Sequence, residues 1–127
     1  ELATLAIKRG AKYIGTNADT NLPNERGLVP GAGSVIALVE CSTQQKATYI
    51  GKPEPIIMEK ALKKIGLSKD EVIMVGDNYM TDIKAGINFG IDTLLVYTGV
   101  STKEQVAKMA VKPTYELDSL DDWSFDE

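Results

Sequence analysis

At 127 residues, with 43% hydrophobic and 25% charged residues, the chain has the composition of a globular domain able to bury a core, which excludes a disordered or fibrous protein. Its net charge of −4 is gathered at one end, because Glu116, Asp118, Asp121, Asp122, Asp126 and Glu127 all follow the last basic residue, Lys112; the nearly neutral body carries no footprint for nucleic acid or an anionic membrane. The single cysteine, Cys41, excludes an internal disulfide and fits a reducing, cytoplasmic compartment, the absence of histidine excludes His-based catalysis and His-ligated zinc, and no apolar run is long enough to span a membrane as a helix.

The chain opens inside a helix: Leu2, Leu5 and Ala6 recur at helical spacing, and Gly10 closes the pattern after Lys8 and Arg9. With Glu rather than Met as the first residue, the expectation is a piece of a longer protein. Ala11 to Ile14 reads as a short strand leading into Gly15-Thr16-Asn17-Ala18-Asp19-Thr20, and Asn21 to Gly33, with two prolines and three glycines, reads as loop. Ser34 to Cys41 is apolar almost all round and predicts a buried helix opened by Pro30-Gly31-Ala32-Gly33. That glycine-rich opening lacks the Gly-Lys-Ser/Thr ending of a nucleotide loop. Ala47 to Ile50 predicts the next strand.

Glu54 to Ile65 is the clearest helix, started by Pro53 and Pro55, closed by Lys63, Lys64 and Gly66, and carrying Ile57, Ala61 and Ile65 as the stripe expected to cover a sheet. Val72 to Val75 is an unbroken apolar run, the pattern of a strand buried on both faces of a parallel sheet. Thr81 to Asn88 predicts a short helix stopped by Gly90, Thr93 to Tyr97 a second strand, and Ser101-x-x-Glu104 a capping box for a further helix. Pro113 to Tyr115 predicts a last short strand and Leu117 to Phe125 a terminal turn or helix. Alternation of helix and strand from Glu54 to Met109 implies α/β architecture with parallel strands, and the stiff Gly51-Lys52-Pro53 passage marks the best boundary between two parts.

The chemistry gathers after the run at Val72. Gly76 and Asp77 end it, placing a carboxylate at the carboxyl end of a strand, where open α/β sheets bind ligands. Asp82 follows at the first turn of the next helix, where a carboxylate also serves as a cap. As a pair, Asp77 and Asp82 make a hard-oxygen site suited to Mg²⁺, completed by water and substrate phosphate. Asn78 and Thr81 offer side-chain or backbone donors to phosphate at the helix start.

Gly76-Asp77-Asn78-x-x-Thr81-Asp82, preceded by Gly51-Lys52-Pro53 and a helix, resembles the third and fourth motifs of the haloacid dehalogenase superfamily of phosphatases. Thr16-Asn17-Ala18-Asp19, Pro30-Gly31-Ala32-Gly33 and Tyr49-Ile50-Gly51-Lys52-Pro53 resemble its NagD-like branch, in which a mobile cap is inserted before that lysine. The resemblance implies that residues 1–50 are the C-terminal part of an α/β cap and residues 51–127 the C-terminal half of a Rossmann-type catalytic core. It assigns Lys52 to hold the phosphoryl group by offsetting its charge, Asp77 to ligate Mg²⁺, and Asp82 to support the metal directly or through hydrogen bonds. Asn17 and Asp19 then face the substrate from the cap, or else form an Asx-rich turn.

One departure governs the rest: the family's opening Asp-x-Asp-Gly-Thr, whose first Asp is the nucleophile, has no counterpart here, and Thr16-Asn17-Ala18-Asp19 is no substitute with Asn in the first position. The implied whole is a Mg²⁺-dependent phosphatase acting on small phosphorylated metabolites, of the sugar phosphate or nucleotide class, through a phosphoaspartate. This chain alone is expected to be inactive, to pair with the missing N-terminal half, and either to self-associate as a homo-oligomer through its exposed strand or to be only marginally stable. The alternative is a non-catalytic phosphate-binding or regulatory α/β module.

Overall fold

The structure, a computed structural model, describes residues 1–124; the predicted terminal element reaches Phe125, which lies outside them. The chain divides into two compact units, Glu1–Gly51 and Lys52–Glu127.

In the first unit, α1 (Leu2–Lys8) packs on α2 (Ala32–Thr43), with Ser42 Oγ donating to Thr4 Oγ1 at 3.3 Å. Strands β1 (Ile14–Gly15) and β4 (Thr48–Tyr49) pair in parallel, and β2 (Asn21–Asn24) and β3 (Gly27–Pro30) form an antiparallel hairpin between them in sequence. The contact of α2 with the small sheet runs through Ile36, 7% exposed: a Cβ on Gly15 would meet Ile36 Cδ1 at 2.8 Å, and Tyr13 donates its hydroxyl to Ile36 O at 3.0 Å.

Three expectations for this unit are corrected. Strand β1 begins at Ile14 rather than Ala11, because its ladder partner among the described residues, β4, is two residues long. Within the segment Asn21 to Gly33, expected as loop, Asn21–Pro30 is a hairpin and Ala32 and Gly33 open α2: Asn24 Oδ1 accepts from Arg26 N at 2.8 Å and Gly27 takes the positive φ of +114° that closes the two-residue turn. Finally, α2 is buried on one side only. Val35 and Leu38 are 60% and 68% exposed, since a two-stranded sheet covers a single stripe of the helix.

At the end of α2, Glu40 accepts from the Ala47 amide at 2.8 Å and pairs with Lys46 at 3.0 Å, bracing the turn before β4. The Ala47 hydrogen bond, then Lys46, holds the Glu40 carboxyl below its usual 4.5. Lowering of the folded-state value means this contribution is complete above the unfolded carboxyl value and is lost as pH falls through the folded one. Glu40→Gln should therefore flatten the acid side of the unfolding profile below about pH 4.5. Thermal melts of both proteins from pH 3 to 7 test this; parallel profiles would exclude it.

In the second unit, α3 (Ile56–Ile65) leads through a 3₁₀ turn at Lys69–Glu71 to β5 (Ile73–Gly76). A π-helical turn, Tyr79–Ile83, runs directly into α4 (Lys84–Phe89) and then β6 (Asp92–Val96). Next come α5 (Lys103–Ala107), β7 (Tyr115–Leu117) and a 3₁₀ turn at Leu120–Asp122. The three strands form one parallel sheet in the order β5-β6-β7. Its core is Tyr79, Ile83, Leu95 and Val106, all at most 5% exposed, with Ile87, Tyr97 and Met109 packed around them. Helix α4 approaches the sheet at Gly86, where a Cβ would overlap Thr93 and stand 3.1 Å from Met74 Cβ. Thr93 in turn is held by two reciprocal bonds, its N to Thr114 Oγ1 and its Oγ1 from Thr114 N, each 3.0 Å.

The α/β class and parallel strands follow the reading of the sequence, with local corrections. Full burial belongs to β6, whose Thr93–Val96 are all buried at the centre, whereas β5 is paired on one side only and Val75 is 40% exposed. Helix α3 begins at Ile56, after Pro55, and buries Leu62; the Ile57, Ala61 and Ile65 stripe is exposed, because α3 packs on α4 through its other side. The capping box is Thr102 with Gln105, one residue later than Ser101 with Glu104.

Candidate functional site

Each predicted residue of the second unit lies at or beside the carboxyl end of β5. The strand runs out at Gly76, and Asp77 follows it, half-buried, with Oδ2 accepting from Val100 N and its carbonyl oxygen accepting from Ser101 N, both at 3.0 Å. Residues 99–101 stand just past β6, so neighbouring parallel strands bring this loop to Asp77. Asp77 Oδ1 has no hydrogen bond among the described residues, which leaves one oxygen anchored and one available.

Asn78 caps the π-helical turn. Its Oδ1 accepts from Met80 N at 3.0 Å, and its own amide donates to Asp82 Oδ2 at 3.2 Å. The next amide, Tyr79 N, donates to the buried Ser101 Oγ at 2.7 Å, and the Tyr79 ring is fixed by its hydroxyl on Val111 O at 2.6 Å. The amides of Asn78, Tyr79 and Met80 are thus all engaged by side chains of the protein. The Asn78 backbone donor expected to meet a phosphate is therefore taken up within the chain, which leaves the Asn78 Nδ2 and the amide and hydroxyl of the half-buried Thr81 as donors.

Asp82 is 7% exposed, and Lys52 Nζ reaches its Oδ1 at 2.5 Å. With Oδ2 on Asn78 N, both carboxylate oxygens are engaged, so within this chain Asp82 acts as the anchor of Lys52 rather than as an open oxygen. Gly76 makes the approach possible, since a Cβ there would overlap the Asp82 side chain. The Lys52 side chain stays 45% exposed, so its ammonium is held but accessible. Its neighbour Pro53 is tied down too, its carbonyl accepting from Asn88 Nδ2 at 2.9 Å.

The arrangement therefore places one cation and one accessible carboxylate oxygen at a strand end, with a carboxamide and a hydroxyl beside them. Among the described residues no group of three or more His, Cys, Asp or Glu side chains is gathered to hold a metal ion. Asp77 alone fits a hard cation that keeps most of its waters, as Mg²⁺ does. Farther along the same sheet end, Tyr97 donates to Glu116, and burial followed by that carboxylate raises the phenol pKa, keeping it neutral.

Asn17 and Asp19 lie in the other unit. Asn17 Oδ1 accepts from Asp19 N at 3.3 Å, an Asx turn, and the carbonyls of Asp19 and Thr20 accept from Gly33 N and Gly31 N, both at 2.8 Å. A Cβ on Gly31 or Gly33 would overlap those carbonyls or that of Ala18, so the glycine-rich opening of α2 serves close backbone approach. Reading the sequence missed Gly99, Val100 and Ser101; a glycine just past a buried strand, beside the strand ending in Asp77, was the available signal.

The family model described as HAD-hydrolase-like matches residues 49–123. Over 119 residues the chain is 52% identical to the 5'-nucleotidase YutF of Bacillus subtilis and 53% identical to the acid sugar phosphatase of Staphylococcus epidermidis, covering 94% of this chain and 46% of each relative. The crystal structure of a double mutant thermostable NPPase from Geobacillus stearothermophilus matches with a TM-score of 0.86 at 60% identity, over 96% of this chain and 48% of that one. A 4-nitrophenylphosphatase from Thermotoga maritima matches with a TM-score of 0.79 at 39% identity. The chain spans about half the length of the curated relatives it matches, and among the described residues no helix is long and apolar enough to cross a membrane.

Proposed function

The chain belongs to the haloacid dehalogenase-like hydrolases, and we propose that it is the C-terminal half of a NagD-like phosphatase, with residues 1–50 part of the cap and residues 51–127 the second half of the catalytic core. The whole protein hydrolyses small phosphomonoesters, of the sugar phosphate or nucleotide class, through an aspartyl phosphate formed on a residue outside this chain. The observation that supports this reading best is the Lys52 ammonium, fixed by the buried Asp82 against the strand end that Asp77 follows, with Asp77 anchored through Oδ2 alone. Two opposite charges so placed suit a phosphoryl group and its cation.

Asp77, through Oδ1, would hold Mg²⁺, and the bound ion would offset charge on the transferring phosphoryl group. Asp82 keeps Lys52 in place, and Lys52 stabilises the same charge from the protein side. Asn78 Nδ2 and the Thr81 hydroxyl orient the phosphate oxygens, and Asn17 and Asp19 belong to the cap surface that meets the substrate. The single cysteine fits a cytoplasmic setting.

The test is complementation. The purified chain should not hydrolyse p-nitrophenyl phosphate above an Asp77→Ala control, and addition of a separately produced N-terminal half from the longer protein should restore Mg²⁺-dependent hydrolysis. Turnover by the chain alone that is lost in Asp77→Ala would overturn the division of labour. Phosphate binding by the reassembled protein without any hydrolysis would favour a regulatory binding module instead.

A further inference from the structure

We propose that Gly99 and Ser101 are positioning residues that set the reach of Asp77 toward its cation, a role that rests on the reading of Asp77 as the Mg²⁺ residue. The loop they belong to touches both halves of the site. Val100 N fixes Asp77 Oδ2 and Ser101 N fixes the Asp77 carbonyl, both at 3.0 Å, while Ser101 Oγ takes the Tyr79 amide at 2.7 Å, at the start of the turn that carries Asp82. One loop thus sets the spacing between Asp77 and the Lys52–Asp82 pair.

Gly99 is the permissive element. Its φ is not in the left-handed region, so alanine meets no backbone penalty there, yet a Cβ would overlap Asp77 Oδ2 and stand 2.8 Å from Asp77 Cβ. The glycine is therefore required by the carboxylate and not by the turn. With a methyl at 99, Asp77 must leave the Val100 amide and swing Oδ1 away from its present direction. Ser101 acts differently: it is 7% exposed, and without its hydroxyl the Tyr79 amide loses its acceptor, which loosens the turn.

Titration of the 127-residue chain with Mg²⁺, followed by the amide shifts of Asn78 and Val100, together with a thermal melt of each variant, tests the assignment. Gly99→Ala should weaken Mg²⁺ binding by about 10- to 100-fold while the melting temperature barely moves. Ser101→Ala should weaken it too, and Ser101→Thr, which keeps the hydroxyl, should restore it. Added to Asp77→Asn, Gly99→Ala should cost nothing further, because it acts through that carboxylate. Wild-type affinity in Gly99→Ala, or a loss that adds in full to that of Asp77→Asn, would overturn the role of Gly99. Should Gly99→Ala not fold, equal affinities in wild type, Ser101→Ala and Ser101→Thr would overturn the proposal. No amide shift with Mg²⁺, or unchanged affinity in Asp77→Asn, would instead remove the underlying reading of Asp77.

Discussion

Lys52→Ala should lower the Mg²⁺-dependent hydrolysis of p-nitrophenyl phosphate by the reassembled halves about 10²- to 10³-fold, the usual loss when one preorganised group facing developing charge is removed. The ammonium is 2.5 Å from Asp82 Oδ1 yet 45% exposed, so it can face a ligand without breaking its anchor. Lys52 is half exposed but Asp82 is buried, so the truncation also leaves a buried carboxylate oxygen without its partner, at a cost in stability. A melt of the variant distinguishes the cases: a rate loss with a small shift in midpoint supports a role in charge stabilisation, and equal rates in wild type and variant would remove Lys52 from the site. Lys52→Arg should recover little, since a planar fork cannot take the place of a compact ammonium wedged between Asp82 and a phosphate.

The second large effect concerns association. β5 is hydrogen-bonded to β6 along one side, and among the described residues nothing pairs with its other side. Its residues Ile73, Met74 and Val75 are apolar, and Val75 is 40% exposed. Such an edge recruits strands from other chains. The chain is expected to sediment with a mass that rises with concentration, and Val75→Lys, which places a charge on that strand, should shift the association about tenfold toward monomer. A single monomeric species at high concentration for the wild type would count against this.

Much of the second unit could be read from residue pattern, because its signals are local and punctuated. Proline and lysine-glycine brackets define α3, Gly90 ends α4, and an apolar run followed by Gly76-Asp77 marks the strand and its carboxyl end. The inferences that failed concern which residues of a strand or helix are covered. The Val72 run reads as doubly buried by composition, yet burial is conferred by neighbours, and the central place belongs to β6. The stripe on α3 was chosen for hydrophobicity, whereas packing on α4 selected Leu62. The hairpin Asn21–Pro30 escaped because all but one of its residues are exposed, so no alternation of apolar and polar positions announces it. At the site, the pattern puts Asp77 at a strand end and the family resemblance singles out Lys52; the contacts of Gly99 and Ser101 have no such signal, because both depend on a loop brought alongside from another strand, 22 and 24 residues farther on.

The reciprocal bonds between Thr93 and Thr114 bear on how β7 keeps its alignment. A three-residue strand on a parallel sheet has few ladder bonds, and Leu94 facing Tyr115 begins this one. A slide by one residue would turn its side chains to the opposite face, and a slide by two would preserve the faces while moving every partner. Either slide must break both threonine bonds together, along with the 3.2 Å bond from Thr114 Oγ1 to Asp92 Oδ1. Thr93 is 1% exposed, so its hydroxyl would be left without water to replace the lost partner. The two hydroxyls work as a latch on sliding, which lets so short a strand hold Glu116 against Tyr97 in a single alignment.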